Sequence, residues 1–430
     1  MQAVIMAGGK GTRLSTVTKD LIPKPMVPFC GKPLIERLVE WLVRNGVRDI
    51  MVCVGYLGDQ IKAHLSDAGL GAELRFIEEN EPLGTAGALA YAKEYIREDF
   101  ALVYADLVLD ADLERMAAFH QERGAMATLF VHPNSHPYDS DLICCDENNR
   151  VTGFRWKGTH QEEDYENLVN AGLVLLSPAV FRYISDPSPM ALEKDLLNRL
   201  IQENEPVYAY RSPEYIKDVG TVDRLAEAEE EFRSGRIEGR NLKNKQKAIF
   251  LDRDGTLNIF DGLISSPDRL RLIDGAAEAV RLINRSGYLA IVITNQPVVA
   301  RGDCTLEELH SIHKRLYTLL GNAGTYVDDL AFCPHHPDRG FCGENTAYKI
   351  VCPCRKPKPG MVIDMAEKYN IDVSQSWMVG DTLRDIQTGK NAGTKTALVR
   401  SAATEPEAED AADLKCADLL SAVRAILASE

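Results

Sequence analysis

The stretch Ala248-Ile-Phe-Leu-Asp-Arg-Asp-Gly-Thr256 decides the fold of the second half of this chain. An apolar run leads straight into Asp252 and Asp254, placing two carboxylates at the C-terminal tip of a buried strand, where open α/β sheets keep their ligands. Such a position suits a nucleophile better than a surface charge. A parallel arrangement opens the chain, where the strand pattern Gln2–Ala7 runs into Gly8-Gly-Lys-Gly-Thr-Arg13. Glycine lacks Cβ and tolerates positive φ, so this loop lets backbone approach a triphosphate closely. Two phosphate-handling sites are expected on one polypeptide.

At 430 residues the chain is too long for one core and comfortable for two. Its 49 basic and 64 acidic residues give a formal charge of -15. That balance argues against non-specific binding to nucleic acid or anionic membrane, so phosphorylated substrates must meet local cations and backbone N–H groups. The opening residues read as a strand with no basic and apolar leader, and no run of about twenty apolar residues occurs. A cytoplasmic enzyme of small molecules is expected; a homo-oligomer is compatible with the sequence. Four of the ten cysteines fall within 333–354, which suggests one local metal site rather than a disulfide framework.

Short apolar runs alternate with amphipathic helical patterns in both halves, the signature of βαβ units and an α/β fold. Strands are predicted at Gln2–Ala7, Asp49–Gly55, Glu73–Glu78 and Phe100–Ala105, then at Lys247–Leu251, Leu289–Thr294, Leu330–Phe332, Ser376–Val379 and Thr396–Val399. Leu34, Ile35, Leu38, Val39, Leu42 and Val43 repeat at helical spacing up to Asn45-Gly46. Helices are also expected at Leu306–Leu320 and Leu419–Leu427, with Glu405–Asp413 a solvated loop or helix start. The segment Glu227–Gln246 is acidic, then basic, with Gly235, Gly239 and few large apolar residues. It reads as the connection, giving domains at 1–230 and 247–430 and a linker at 231–246.

Beyond the glycine loop come Thr18-Lys-Asp-Leu-Ile-Pro-Lys-Pro-Met-Val-Pro28, Gly31-Lys-Pro-Leu-Ile35, Glu81-Pro-Leu-Gly-Thr-Ala-Gly-Ala88, Tyr104-Ala-Asp106, Asn170-Ala-Gly172 and Lys217-Asp-Val-Gly-Thr221. Together they resemble the sugar-1-phosphate nucleotidyltransferases, especially the mannose- and heptose-1-phosphate guanylyltransferase branch, over roughly residues 1–230. The resemblance implies a Rossmann-like, GT-A-like domain. It implies that Asp106 and Asp218 hold Mg²⁺ and that Gly8, Gly9, Gly11, Thr12, Arg13 and Lys24 meet the triphosphate. Gly84, Thr85 and Gly87 would receive the base, while Asn170, Gly172 and Glu193 would line the sugar pocket. Two departures stand out. Many relatives carry Asn-Gly-Asp where this chain has Tyr104-Ala105-Asp106, and Phe154-Arg-Trp-Lys157 replaces Phe-x-Glu-Lys-Pro. Lys157 keeps the cation expected on the sugar phosphate, but Trp156 replaces the acid, which favours an unusual sugar.

In the second half, Asp252-Arg-Asp-Gly-Thr256 matches Asp-x-Asp-x-Thr, the nucleophile motif of the haloacid-dehalogenase (HAD) phosphatases. Thr294-Asn295-Gln296, Arg355-Lys356 and Gly380-Asp381-Thr-Leu-Arg-Asp385 follow in that family's order. A carboxylate can attack phosphorus when Mg²⁺ offsets the repulsion between two anions. The resemblance implies a doubly wound parallel sheet with Asp252 as nucleophile and Asp254 as acid and then base. It further implies Thr294, Asn295, Arg355 and Lys356 around the phosphoryl group, and Asp252, Asp254 and Asp381 around Mg²⁺; Asp385 would support the loop. Cys333-Pro-His335 and Cys352-Pro-Cys354 supply three thiolates and an imidazole, a closed structural zinc set. Cys342 and His336 are spare candidates. This zinc loop resembles those of the D,D-heptose 1,7-bisphosphate phosphatases and of the histidinol phosphatases.

Joined on one chain, the two sites suggest a route: removal of the 7-phosphate of D-glycero-D-manno-heptose 1,7-bisphosphate, then transfer of GMP from GTP to the 1-phosphate. GDP-heptose and pyrophosphate would be the products, precursors for a surface glycan. The alternatives are a mannose- or hexose-1-phosphate nucleotidyltransferase fused to a phosphatase of other specificity, such as histidinol phosphate, or one domain serving as a regulatory sensor. No residue of the sequence, taken alone, specifies the base.

Overall fold

The structure is a computed structural model that describes all residues except 10–13, 80, 160–162, 185, 402 and 430, and omits the side chain of Ser15. The chain forms two compact units. The first comprises Met1–His132, Ile143–Phe154 and Asn170–Asn241; the second comprises Pro133–Leu142, Arg155–Val169 and Leu242–Glu430.

The core of the first unit is a parallel array in which Gln2–Ala7 lies between Asp49–Val54 and Phe100–Tyr104, with Glu73–Glu78 beside Asp49–Val54. Val169–Leu176 then pairs antiparallel with Phe100–Tyr104 through Leu173–Leu176. Alternate residues Ala3, Ile5 and Ala7 pack on Ile35, Leu38, Val39 and Leu42 of the helix Leu34–Arg44, as the periodicity predicts. Several strands were not predicted: Leu107–Asp110, Ala127–His132, Leu142–Cys145, Val151–Arg155, Val207–Arg211 and Tyr215–Asp218.

The second unit holds a six-stranded sheet, ordered Asp329–Cys333, Tyr288–Asn295, Lys247–Leu251, Trp377–Gly380, Lys395–Val399, Leu414–Cys416. Every pairing is parallel. Its strand Lys247–Leu251 is apolar and buried from Ala248 onward because both faces are covered. Ile249 and Leu251 join a cluster with Val280, Ile312 and Val423, whereas Ala248 and Phe250 join one with Met361, Val362 and Tyr369. This is the doubly wound arrangement expected.

The stretch around the expected linker at 231–246 is ordered. Val222–Arg233 and Arg236–Gly239 are helical, and Leu225, Ala228, Ile237 and Leu242 are buried. Its polarity misleads because a helix needs only about one apolar residue per turn to bury a stripe. The excursions 133–142 and 155–169 cluster with the second unit, where Tyr165 N–H donates to Thr318 Oγ1 and Arg315 pairs with Asp164.

Candidate active sites

In the first unit, Met6, Ala7, Gly8 and Gly9 form one side of a cavity of about 400 Å³, with Lys24, Glu79, Gly84, Thr85, Tyr104 and Asp106 also on its walls. Asp106 follows the strand Phe100–Tyr104. Tyr215–Asp218 pairs antiparallel with Leu107–Asp110 so that Asp218 faces Leu107, and Val219 N–H donates to the Asp106 carbonyl at 3.0 Å. This pairing brings together two carboxylates that are far apart in sequence. Each is met by a cation: Lys24 pairs with Asp106, and Arg224 with Asp218. Lys24 was anticipated; Arg224 was not, since nothing in its helix distinguishes it from a solvated residue.

Gly84 and Gly87 are required by close approach. A Cβ on Gly84, at φ +74°, would lie 2.7 Å from the Met190 carbonyl oxygen, and one on Gly87 would lie 2.1 Å from that of Ser188. Thr85 Oγ1 accepts from Leu192 N–H at 2.8 Å, holding the same segment. Asn170 Nδ2 and Tyr104 OH both donate to Glu193 Oε1, at 3.0 and 3.2 Å. Gly172, at φ +84°, leaves room for the Tyr104 ring, 2.9 Å from where a Cβ would sit. Burial above all, then the neighbouring Glu193, keeps the Tyr104 phenol protonated. Lys157 is not among the cavity's lining residues; it belongs to the second unit and pairs with Asp139. Gly11, Thr12 and Arg13 lie outside the described residues.

In the second unit, the ends of adjacent parallel strands carry the chemistry. Asp252 N–H donates to the Val379 carbonyl at 2.9 Å, which fixes its place beside the strand that precedes Asp381. Asp252, Asp381 and Asp385 present carboxylate oxygens within 4.8 Å of one another. Lys356 Nζ reaches Asp252 Oδ1 at 2.7 Å, Asp385 Oδ1 at 2.6 Å and the Ile293 carbonyl at 3.1 Å. Burial, then the nearby carboxylates, pushes Asp252 up to about 8, and burial pushes Asp381 up to about 6. Burial opposes the Lys356 charge, but Asp252 and Asp385 outweigh it and raise its pKa. One ammonium among three buried carboxylates leaves an excess of negative charge, and Asp381 Oδ1 is buried with no hydrogen-bond partner among the described residues. These donors fit a divalent cation.

The carboxylate trio differs from the expected one: Asp385 is a member and Asp254 is not. The fully buried Arg253 guanidinium needs a counter-charge and takes Asp254, whose oxygens also accept from Gln296 and Asn258. Despite burial, Arg253 and these donors hold the Asp254 carboxyl below its usual range. Gln296 Nε2 also donates to Thr294 Oγ1 at 2.8 Å, linking that hydroxyl to Asp254. Asn295 and Lys356 exchange two backbone-to-amide bonds, so Asn295 positions the lysine. Gly255, at φ +85°, is compulsory, since a Cβ there would lie 2.1 Å from Asp381 Oδ2.

Cys333, His335, Cys352 and Cys354 converge, with Sγ–Sγ distances of 3.5 and 3.2 Å and Sγ–Nδ1 distances of 3.7 and 3.5 Å. A tetrahedron with bonds of about 2.3 Å to sulfur and about 2.0 Å to nitrogen has edges of roughly 3.5–3.8 Å. Burial, then Arg355, lowers the His335 pKa and favours the neutral imidazole that a metal needs. Cys342 is exposed and outside the group; His336 is buried but also outside it. Arg355 donates to the His335 carbonyl at 2.8 Å, tying this cluster to the residue before Lys356.

Residues 2–235 match the nucleotidyl transferase family and residues 353–425 a HAD-hydrolase-like family. The chain belongs to the nucleotidyl transferase family, fused to a HAD phosphatase. It is a bifunctional enzyme. Similar curated proteins are the D-glycero-beta-D-manno-heptose-1,7-bisphosphate 7-phosphatases of Salmonella typhi, 38% identical over 41% of this chain and 95% of the relative, and of Escherichia coli K12, 38% identical over 39% and 86%. Among solved structures, HddC from Yersinia pseudotuberculosis is 28% identical over 54% of this chain and 99% of its own, with a TM-score of 0.47. The D,D-heptose 1,7-bisphosphate phosphatase of B. bronchiseptica, complexed with magnesium and phosphate, is 32% identical over 43% and 100%, with a TM-score of 0.38. Among the described residues, no helix is long and apolar enough to cross a membrane.

Proposed function

We propose that the second unit hydrolyses the 7-phosphate of D-glycero-D-manno-heptose 1,7-bisphosphate and that the first transfers GMP from GTP to the resulting 1-phosphate, yielding GDP-heptose and pyrophosphate in the cytoplasm. The observation that carries the reading is the 38% identity to 7-phosphatases over 95% of such a relative, on a chain whose other half is a nucleotidyl transferase. A phosphatase that spares the anomeric phosphate makes the acceptor its neighbour consumes.

Asp252 attacks phosphorus while the bond to O7 breaks, and Asp254, which Arg253 keeps ionised until it takes a proton from the incoming phosphate monoanion, delivers that proton to the departing oxygen. Water then attacks the phosphoaspartate, Asp254 takes its proton, and phosphate leaves. Thr294 and Lys356 hold phosphoryl oxygens, with Arg355 at the mouth. Asp252, Asp381 and Asp385 would hold Mg²⁺, which screens the repulsion between nucleophile and phosphate. Cys333, His335, Cys352 and Cys354 would hold a structural zinc that shapes the loop before Arg355.

In the first unit, the sugar phosphate oxygen attacks the α-phosphorus of GTP in line, and pyrophosphate departs. Asp106 and Asp218 would hold Mg²⁺; their pairing as two carboxylates suits an ion that completes its shell with substrate phosphates and water. Lys24 and Arg13 neutralise the triphosphate, supported by Gly8, Gly9, Gly11 and Thr12. Gly84, Thr85 and Gly87 cradle the base, and Asn170, Gly172 and Glu193 meet sugar hydroxyls; we assign Lys157 no direct contact. Phosphate and pyrophosphate release, measured over a panel of sugar phosphates and nucleoside triphosphates, tests the reading. Turnover confined to hexose 1-phosphates would refute it.

A further inference from the structure

The mouth of the phosphatase site carries an arginine that the mechanism leaves unused. Lys356 Nζ donates to Asp385 Oδ1 at 2.6 Å, so the residues that precede them, Arg355 and Arg384, flank one bonded pair. Lys356 and Asp385 are buried, whereas Arg384 is exposed in the first turn of the helix Leu383–Ala392. The helix dipole favours anions at that end, so a cation there gains nothing from its own helix.

Among the described residues, Arg384 makes no ion pair and no side-chain hydrogen bond; Glu405, which reaches the same turn, accepts instead from Leu383 N–H at 2.9 Å. Arg355 pairs with no carboxylate there either, and its guanidinium donates to the His335 carbonyl at 2.8 Å. Burial first of all, and the Arg384 guanidinium as well, work against the Arg355 charge, so the two cations stand near enough to repel. A cleft lined by one sign of charge concentrates the opposite ion. These two arginines therefore form an acceptor for an anion outside the buried carboxylate cluster.

The class of anion follows from where the charges stand. The phosphoryl group that reacts meets Asp252 and Lys356, both buried, so the sugar must lead outward from it, and a second phosphate on the far carbon emerges at the mouth. A guanidinium grips phosphate oxygens with a planar fork of donors, and two of them match a dianion. Resting on the hydrolysis described above, we propose that Arg384, together with Arg355, binds the anomeric phosphate of the bisphosphate and makes that distal phosphate a condition of efficient hydrolysis. Held at the mouth, the anomeric phosphate cannot reach Asp252. The 7-phosphate leaves and the 1-phosphate is spared.

The test uses the full-length protein with Mg²⁺ and measures phosphate release from heptose 1,7-bisphosphate and from heptose 7-phosphate, which lacks the anomeric phosphate. Wild type should use the bisphosphate with the higher kcat/KM. Arg384→Ala should lower kcat/KM for the bisphosphate roughly 10- to 100-fold, chiefly through KM, the usual cost of a charge-assisted phosphate contact. Hydrolysis of heptose 7-phosphate by the same variant should change little, so the preference between the two substrates collapses. Nucleotidyl transfer by that preparation should match wild type. Equal losses on both substrates would show that Arg384 acts through Asp385 and the metal. That result, undiminished use of the bisphosphate by the variant, or a wild type indifferent to the anomeric phosphate would each overturn the assignment alone. A wild type that hydrolyses neither heptose phosphate but cleaves histidinol phosphate or hexose phosphates would overturn the functional reading as well.

Discussion

Lys356 and Asp252, 104 residues apart in the chain, are joined by a 2.7 Å hydrogen bond from Nζ to Oδ1. The lysine is held from behind by Asn295 and Asp385, so it cannot withdraw when substrate arrives.

Lys356→Met should therefore lower phosphatase kcat by roughly 10²–10³, the usual cost of one preorganised donor. Nucleotidyl transfer, measured on the same preparation, should be unchanged. A phosphatase loss below tenfold would show that the lysine only packs.

The buried carboxylates make a pH-dependent demand for metal. Folded-state values of about 8 for Asp252 and about 6 for Asp381 exceed the ordinary 3.8, so the unfolded chain releases these protons at lower pH than the folded one. Without Mg²⁺, the stability they contribute is full below pH 4 and is lost as pH rises toward 8. Lys356 and Asp254 shift outside that window. The rise in Tm on adding Mg²⁺ should be larger at pH 8 than at pH 5, and Asp252→Asn should flatten the difference. Equal Tm shifts at both pH values would contradict this.

The Cys333, His335, Cys352 and Cys354 cluster should bind about one zinc per chain by metal analysis. Cys352→Ser should lower zinc content and impair the phosphatase, because Arg355 and Lys356 follow directly, while transfer is spared. Full phosphatase activity in a zinc-free variant would remove the structural role.

Much of this was legible in sequence, and for identifiable reasons. Ala248–Leu251 announces a strand covered on both faces because nothing polar interrupts it, and Asp252 marks its tip. The cluster of Cys333, His335, Cys352 and Cys354 was readable because its spacing is local. By contrast, Arg253 looks like a variable position between two aspartates until the structure shows it fully buried and claiming Asp254. Arg224 joins Asp218 across a helix start, and Glu79 reaches the Gly8 loop from the end of a strand two places away in the sheet. Neither relationship leaves a pattern in the sequence: the first depends on the turn between Asp218 and the helix at Val222, the second on strand order. The polarity of residues 231–246 hid the burial of Ile237 and Leu242, single apolar residues among polar neighbours.

The central claim is that the two sites act in order on one sugar. Heptose 1,7-bisphosphate and GTP, incubated with the full-length protein and Mg²⁺ and followed by mass spectrometry, test it most directly. Wild type should form GDP-heptose. Asp252→Asn should form none unless heptose 1-phosphate is supplied, and Asp106→Asn should accumulate that 1-phosphate. Release of the anomeric phosphate first, or a strong preference for mannose 1-phosphate over the heptose, would contradict the account.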